Sequence, residues 1–369
     1  MSFVDHHCHS LRGTWANVGE GMPAWRRCFT EATDDVTLAR HVPGLFSYQR
    51  FLTATASMLG LDPGGTDLER RVAARRDELA SADPAGYLQR LLDDAGVSAM
   101  LVDTGFGVGD TLAIGELAAL TSLPTYEVVR IERVAEGLLE GGVTATRNLA
   151  HFADEFEDRL VTALDGGAVA LKSVAAYRAG LALPRPSVAE VRQAWTGLDR
   201  RRQSRRLDDR VLVAFLLWRA AELAGRRGIP LQIHTGFGDR DLDINLADPA
   251  LLRPLLVDPS TRDCPVVLLH CYPFVAKAAY LASVYPQVWM DLSLAIPLAE
   301  PLAARLVREA LGLCPFTKLL AATDGHSYPE MHWWGAVSWR HALEQIPEAT
   351  AFADRVFAGN ATELYRLST

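Results

Sequence analysis

Residues 3–10 read FVDHHCHS. The apolar opening is that of a buried strand, and it runs into a histidine cluster where a doubly wound nucleotide-binding sheet would carry its Gly-rich phosphate turn. That difference favours a closed parallel barrel over an open sheet. Side chains alternate along a strand, so Asp5, His7 and His9 are expected on one face, with Asp5 supporting the two imidazoles from behind. His6 and Cys8 are expected on the other face, against the surrounding helices.

Seven further runs have the same short, apolar character: 98–106, 125–133, 169–177, 230–235, 265–272, 287–293 and 318–324. Several are nearly continuous in apolar residues, as in parallel strands buried on both faces. Stretches of helical period lie between or after them, at 114–120, 150–164, 207–227, 274–284, 301–311 and 349–367. Eight strands alternating with helices predict an α/β fold, a (β/α)8 TIM barrel taking residues 1–369 as a single domain. The interval 10–96 is too long for a plain connection, and its helical patterns at 68–79 and 84–95 predict a helical insertion, a lid over the barrel mouth. The arginine run DRRRQSRRLDDR, 199–210, is expected as a solvated helix face.

The 369-residue chain has 37 Lys plus Arg against 45 Asp plus Glu, a net charge of −8. Its summed field repels polyanions, so nucleic acid is not an expected partner. No stretch reaches the ~18 apolar residues of a membrane span, and the first residues lack the basic and apolar segments of a secretion signal. Five scattered cysteines without CxxC spacing fit a reducing compartment. The expectation is a cytoplasmic protein acting on a small molecule.

Histidine is sparse, ten in all, yet several stand at the C-terminal ends of predicted strands, the end where barrel active sites are built. His7 and His9 end strand one, His234 strand five and His270 strand six, while Asp324 ends strand eight. Imidazoles at i and i+2 can reach one divalent ion, and this set converging on one rim predicts a metal site. Lys172, inside VALKSVAAY, is costly among apolar neighbours unless it is paired or used chemically. It is read either as a metal ligand after carbamylation or as a cation holding substrate. Arg178 is placed to bind a substrate carboxylate bidentately, and Tyr177, Trp15, Asp239, His326 and Glu330 are further candidates for the pocket wall.

The set Asp5-x-His7-x-His9, Lys172, His234, His270 and Asp324 resembles the metal-dependent amidohydrolase superfamily, in its amidohydrolase-2 branch. The strings LKSVAAYRAGL, ATDGHSYPE and GNATELY resemble the amidohydrolase domain of fluG-like proteins. The resemblance implies that His7, His9 and Asp324 hold the more buried of two metals, that His234 and His270 hold the other, and that a carbamylated Lys172 bridges them. With Lys172 unmodified, it implies one metal on His7, His9, His234 and Asp324, with His270 as proton donor or oxyanion partner. The ion is expected to be Zn2+, with Mn2+ or Fe2+ as options, one or two per chain and with no organic cofactor. Activated water would attack the carbonyl of a small amide, with Asp324 as general base. Decarboxylation of the amidohydrolase-2 type is the rival reaction, and a catalytically inactive binding or scaffold protein the rival class. Related enzymes are often dimers, so a homodimer is an option.

Overall fold

Seven strands form one sheet in sequence order, each parallel to the next. They are β1 (Phe3–Cys8), β2 (Val97–Asp103), β3 (Thr125–Arg130), β4 (Ala170–Ser173), β5 (Leu231–His234), β6 (Val266–Leu269) and β7 (Val288–Met290). The computed structural model describes residues 1–19, 22–140, 148–198 and 206–368. Parallel neighbours cannot be joined by tight turns, and helices such as Leu149–Asp165, Arg210–Arg227 and Val275–Val284 make the crossovers.

The strands stop short of their predicted C-terminal limits because the chain curls away to build a rim. After β4 it enters the short helix Ala175–Arg178, after β3 the helix Ile131–Glu140, and after β6 His270 and Cys271 take left-handed conformations, φ 68° and 59°. The predicted eighth strand is a correction among the described residues, since 318–324 forms no regular strand. The segment is nonetheless bonded on both sides. Leu320 N–H donates to Met290 O on β7 (3.0 Å), and Asp324 N–H donates to His7 O on β1 (3.0 Å). Its irregularity has two visible causes. The Asp5 carboxylate accepts the Thr323 N–H (2.9 Å), which is thereby taken out of any ladder, and Asp324 is left-handed at φ 51°.

Both faces of the sheet are apolar, which explains the near-continuous runs. Outward residues such as Phe3, Met100, Leu171, Ile233 and Leu268 pack under the helices. Inward residues Val4, Leu101, Val128, Ala170, Val267 and Leu320 meet one another and are covered by Tyr365 and Leu367. Each buried Val, Leu or Ile among them contributes about 1.5–3 kcal/mol relative to staying exposed. The single helix expected over 349–367 is instead broken into Pro347–Phe352, Arg355–Gly359 and Asn360–Leu364. These changes of winding let Phe357 pack on Phe3 while Tyr365 reaches the inner face.

Between β1 and β2 lie the helices Phe46–Met58, Leu68–Ala82 and Pro84–Ala95. The last packs on β2 and on the helix Pro329–Glu344, so it belongs to the outer layer rather than to a cover. Of the interval predicted as a lid, Arg12 and residues between Ala24 and Thr33 reach the cavity described below. Of the arginine run, 199–205 lies outside the described residues. Arg206 lines the cavity, bonding to Tyr177 O (2.6 Å), and is no purely solvated residue.

Candidate metal centre

The register of β1 decides what faces the rim. Asp5 opposes Met100 and Cys8 opposes Val102, three steps on β1 against two on β2. A bulge of this kind carries one extra residue and breaks the alternation. His6 and His7 therefore both turn inward: His6 lies 3.0 Å from Asp291 Oδ2, and His7 Nδ1 lies 2.8 Å from Gln232 Oε1. This corrects the strict alternation expected from sequence. Asp5 stands outward with Cys8, near His332 of the helix Pro329–Glu344, and does not support the imidazoles from behind. It clamps segment 318–324 to β1 through Thr323.

Past the bulge, His7, His9 and Asp324 converge, their candidate ligand atoms all within 4.8 Å of one another. His7 Nε2 and His9 Nε2 each lie 3.2 Å from Asp324 Oδ1. The tautomers follow from what lies behind. Gln232 Nε2 donates to His6 O (2.8 Å) and to Tyr365 Oη (2.9 Å), so its Oε1 accepts from His7 Nδ1–H. His9 Nδ1 lies 3.3 Å from the Asp103 carbonyl, which only accepts. Both rings thus present an Nε2 lone pair to a carboxylate oxygen that is itself buried and without a hydrogen bond among the described residues. Three lone-pair atoms facing one another form a donor set for a cation, and imidazole and carboxylate suit a borderline divalent ion.

The electrostatics agree. Burial, then the Lys172 charge, hold the His7 imidazolium down to about 4. Lys172 is buried on β4, its Nζ 3.2 Å from His7 Nε2, and burial lowers its amine to about 8 against the pull of Asp103. A fraction of neutral amine is what carbamylation requires. Beside it, Arg130 grips Asp103 (2.6 Å).

His234 ends β5, and its Nε2–H donates to Phe237 O (3.2 Å), which leaves Nδ1 a lone pair. Tyr177 and His270 pack against its ring, each at 4.5 Å between centroids. Gly238 permits that approach, because a Cβ there would collide with the Tyr177 hydroxyl. His270 is held by a chain. Asp291 Oδ1 accepts its N–H (2.5 Å) and lies 3.0 Å from Ser293 Oγ, which lies 2.8 Å from His270 Nδ1. A carboxylate only accepts, so Ser293 donates to Asp291 and accepts from His270 Nδ1–H, freeing Nε2. The longer approach of Leu294 N–H to Nδ1 (3.4 Å) gives way to this charged chain.

These side chains border a cavity of 440 Å³. Lys172, His9, His234, His270 and Asp324 lie on its wall, as do Tyr177, Arg178, Asp239 and His326. Trp15 and Glu330 are not among the lining residues. Glu330 is fully buried, pairs with Arg76 (2.6 Å) and accepts from Tyr87 Oη (2.7 Å), while Arg76 donates to the Trp15 carbonyl (2.5 Å). Their work is to neutralise a buried guanidinium. The sequence reading missed Gln232, Asp103, Arg130, Asp291, Ser293 and Glu31. Gln232 was findable, two residues before His234 on one strand face, and Asp291 and Ser293 are the polar end of QVWMDLS. Glu31 sits in irregular chain with no periodic signal.

Comparison with known proteins accords with this geometry. Residues 4–367 match the amidohydrolase family Amidohydro_2. The protein fluG of Emericella nidulans is 30% identical over 97% of this chain and 43% of its own length, so the chain spans less than half of that relative. A crystal structure assigned as a metal-dependent hydrolase from Lactobacillus casei is 29% identical, with a TM-score of 0.87 over 99% of this chain and 95% of that one. Uronate isomerase from Thermotoga maritima, 13% identical, shares the fold with a TM-score of 0.68 over 99% and 94% of the two chains. The chain belongs to the amidohydrolase family.

Proposed function

We propose that the protein is a metal-dependent hydrolase that cleaves the C–N bond of a small amide, and that segment 318–324 is the eighth stave of a (β/α)8 barrel. The observation that carries the reading is the meeting of His7 Nε2, His9 Nε2 and Asp324 Oδ1 as unprotonated donors, with His9 and Asp324 on the cavity wall. His7, His9 and Asp324 would hold one ion, His234 and His270 a second, and Lys172 as its carbamate would bridge them. Bound there, a divalent ion, Zn2+ in this reading, supplies Lewis acidity at the carbonyl oxygen and lowers the pKa of a water toward neutrality. Asp324 takes a proton from the attacking water and passes it to the leaving nitrogen, so that the C–N bond breaks as the new C–O bond is kept. The Asp291–Ser293 chain fixes the ring of His270 facing the cavity. We also read the enzyme as cytoplasmic. In support, the five cysteines are free and no described helix is long and apolar enough to cross a membrane.

The test is metal content per chain on protein purified without chelator, with intact mass to detect a lysine carbamate. Two ions and the added mass on Lys172 are expected. One ion with unmodified Lys172 would move the assignment to decarboxylation, and protein that neither holds an ion nor is stabilised by one would be a binding protein rather than an enzyme.

A further inference from the structure

Away from the donor set, the cavity wall is asymmetric in how its charges are held. Arg12, Arg27, Arg130, Arg178 and Arg206 all reach it. Each is clamped by an acid that is not on the wall: Asp110 (2.7 Å), Asp35 (3.2 Å), Asp103 (2.6 Å), Glu136 (2.9 Å) and Asp241 (3.1 Å) respectively. Glu31 is on the same wall, half-buried, and has no hydrogen bond or ion pair among the described residues. Burial, with the Asp324 and Asp239 charges, pushes its carboxyl up to about 7. A carboxylate left this way carries a desolvation cost that no partner among the described residues offsets. Two arginines that line the same cavity, Arg12 and Arg178, each keep a buried Nε–H with no acceptor among the described residues, and of the two Arg178 stands beside Lys172, Tyr177 and His234 on the wall. Glu31, without a partner among the described residues, and Arg178, held only in part by Glu136, thus border a single cavity.

We propose that Glu31 is a specificity determinant that receives a cationic nitrogen of the substrate while Arg178 receives a carboxylate, so that the enzyme acts on zwitterionic, amino-acid-like amides. This rests on the amide-hydrolase reading, but its test is separable. Glu31 selects; it takes no part in proton transfer. A neutral or purely anionic amide would fill the cavity and leave the Glu31 charge uncompensated, and discrimination against it follows from that penalty.

The test uses metal-loaded protein and calorimetric binding of matched pairs that differ in the ammonium: glycylglycine against N-acetylglycine, and L-asparagine against succinamate. Wild type is expected to prefer the zwitterion of a pair by about tenfold or more, as for a close, partly desolvated charge pair. Glu31→Gln should abolish that preference, with metal content unchanged and Tm unchanged or raised, because Glu31 supports no other group among the described residues and loses a desolvated charge. Equal binding within both pairs, a preference that survives in Glu31→Gln, or no binding of any of the four compounds overturns the proposal. Hydrolysis is followed in parallel. A Glu31-dependent preference without any C–N cleavage would leave this inference standing and remove the hydrolase reading.

Discussion

The inner face of the sheet has two halves made by the same strands. In one, Val4, Leu101, Val128, Ala170, Val267 and Leu320 pack on each other under Tyr365 and Leu367. In the other, His7, His9, Lys172, His234, His270 and Asp324 crowd together, and Asp324 Oδ1 has no hydrogen bond among the described residues. The step between them is short: Ala170 and Lys172 are successive inward residues of β4. Between the halves runs a polar layer in which Tyr365 bridges Gln232 and His6, and His6 Nε2 lies 3.0 Å from Asp291 Oδ2. The apolar half strips water from the floor of the site, which is why Lys172 and His7 both lose affinity for protons, while the other half accepts unpaired donors in return for chemistry.

If the halves divide labour in this way, substitutions should sort cleanly between activity and stability. The largest effect is expected from Asp324→Asn, which keeps an oxygen in place but cannot accept a proton. Turnover should fall about a thousandfold or more with metal content largely retained. Measuring kcat beside metal content checks it, and wild-type turnover in metal-replete variant would end the general-base role. In the other half, Leu320→Ala should cost about 2–5 kcal/mol in urea unfolding while kcat of the folded enzyme stays within about threefold. A collapse of kcat at full folding would show that the floor shapes the site.

How far the comparison was legible in the sequence depends on which half is considered. Strand positions and the rim residues His7, His9, His234, His270 and Asp324 were readable, because apolar runs mark strands and a polar residue ending one needs a reason. The β1 bulge was not, since nothing in FVDHHCHS says that β2 advances two residues while β1 advances three, and the wrong face for Asp5 and His6 followed. The irregularity of segment 318–324 was not legible either, because its Thr323 N–H is spent on a side chain from the other end of the chain. Trp15 and Glu330 looked like rim residues by position, but a buried Arg76 some 250 residues from Glu330 in sequence (|i−j| = 254) claims them. Long-range polar pairing of this kind leaves no periodic trace.

A smaller effect tests how finely the rim is tuned. Ser293→Ala removes the hydroxyl between Asp291 and His270 Nδ1. The ring keeps its packing on His234 but loses the contact that sets its tautomer, and kcat should fall about tenfold, with KM within about threefold and unfolding stability lowered by about 1 kcal/mol. Restoration by Ser293→Thr, which returns the hydroxyl, separates positioning from packing. An equal loss in Ser293→Thr would mean that the small side chain, and not its hydroxyl, was needed.

The smallest effect falls on the boundary itself. Tyr365 Oη accepts from Gln232 Nε2 (2.9 Å) and lies 3.1 Å from His6 Nδ1, to which its proton is free to go. Tyr365→Phe therefore leaves His6 Nδ1 without its donor, while Gln232 keeps both its bond to the His6 carbonyl and its grip on His7 Nδ1. The expected cost is about 1–2 kcal/mol in urea unfolding, the usual penalty for a buried polar atom deprived of its partner. Because His7 is still oriented by Gln232, kcat should change by less than about threefold, since a bond two steps from the donor set acts only through Gln232. A tenfold fall in kcat at normal metal content would show that Gln232 is itself held by Tyr365. The C-terminal segment would then be part of the site's alignment, and the two halves of the inner face would be one mechanical unit.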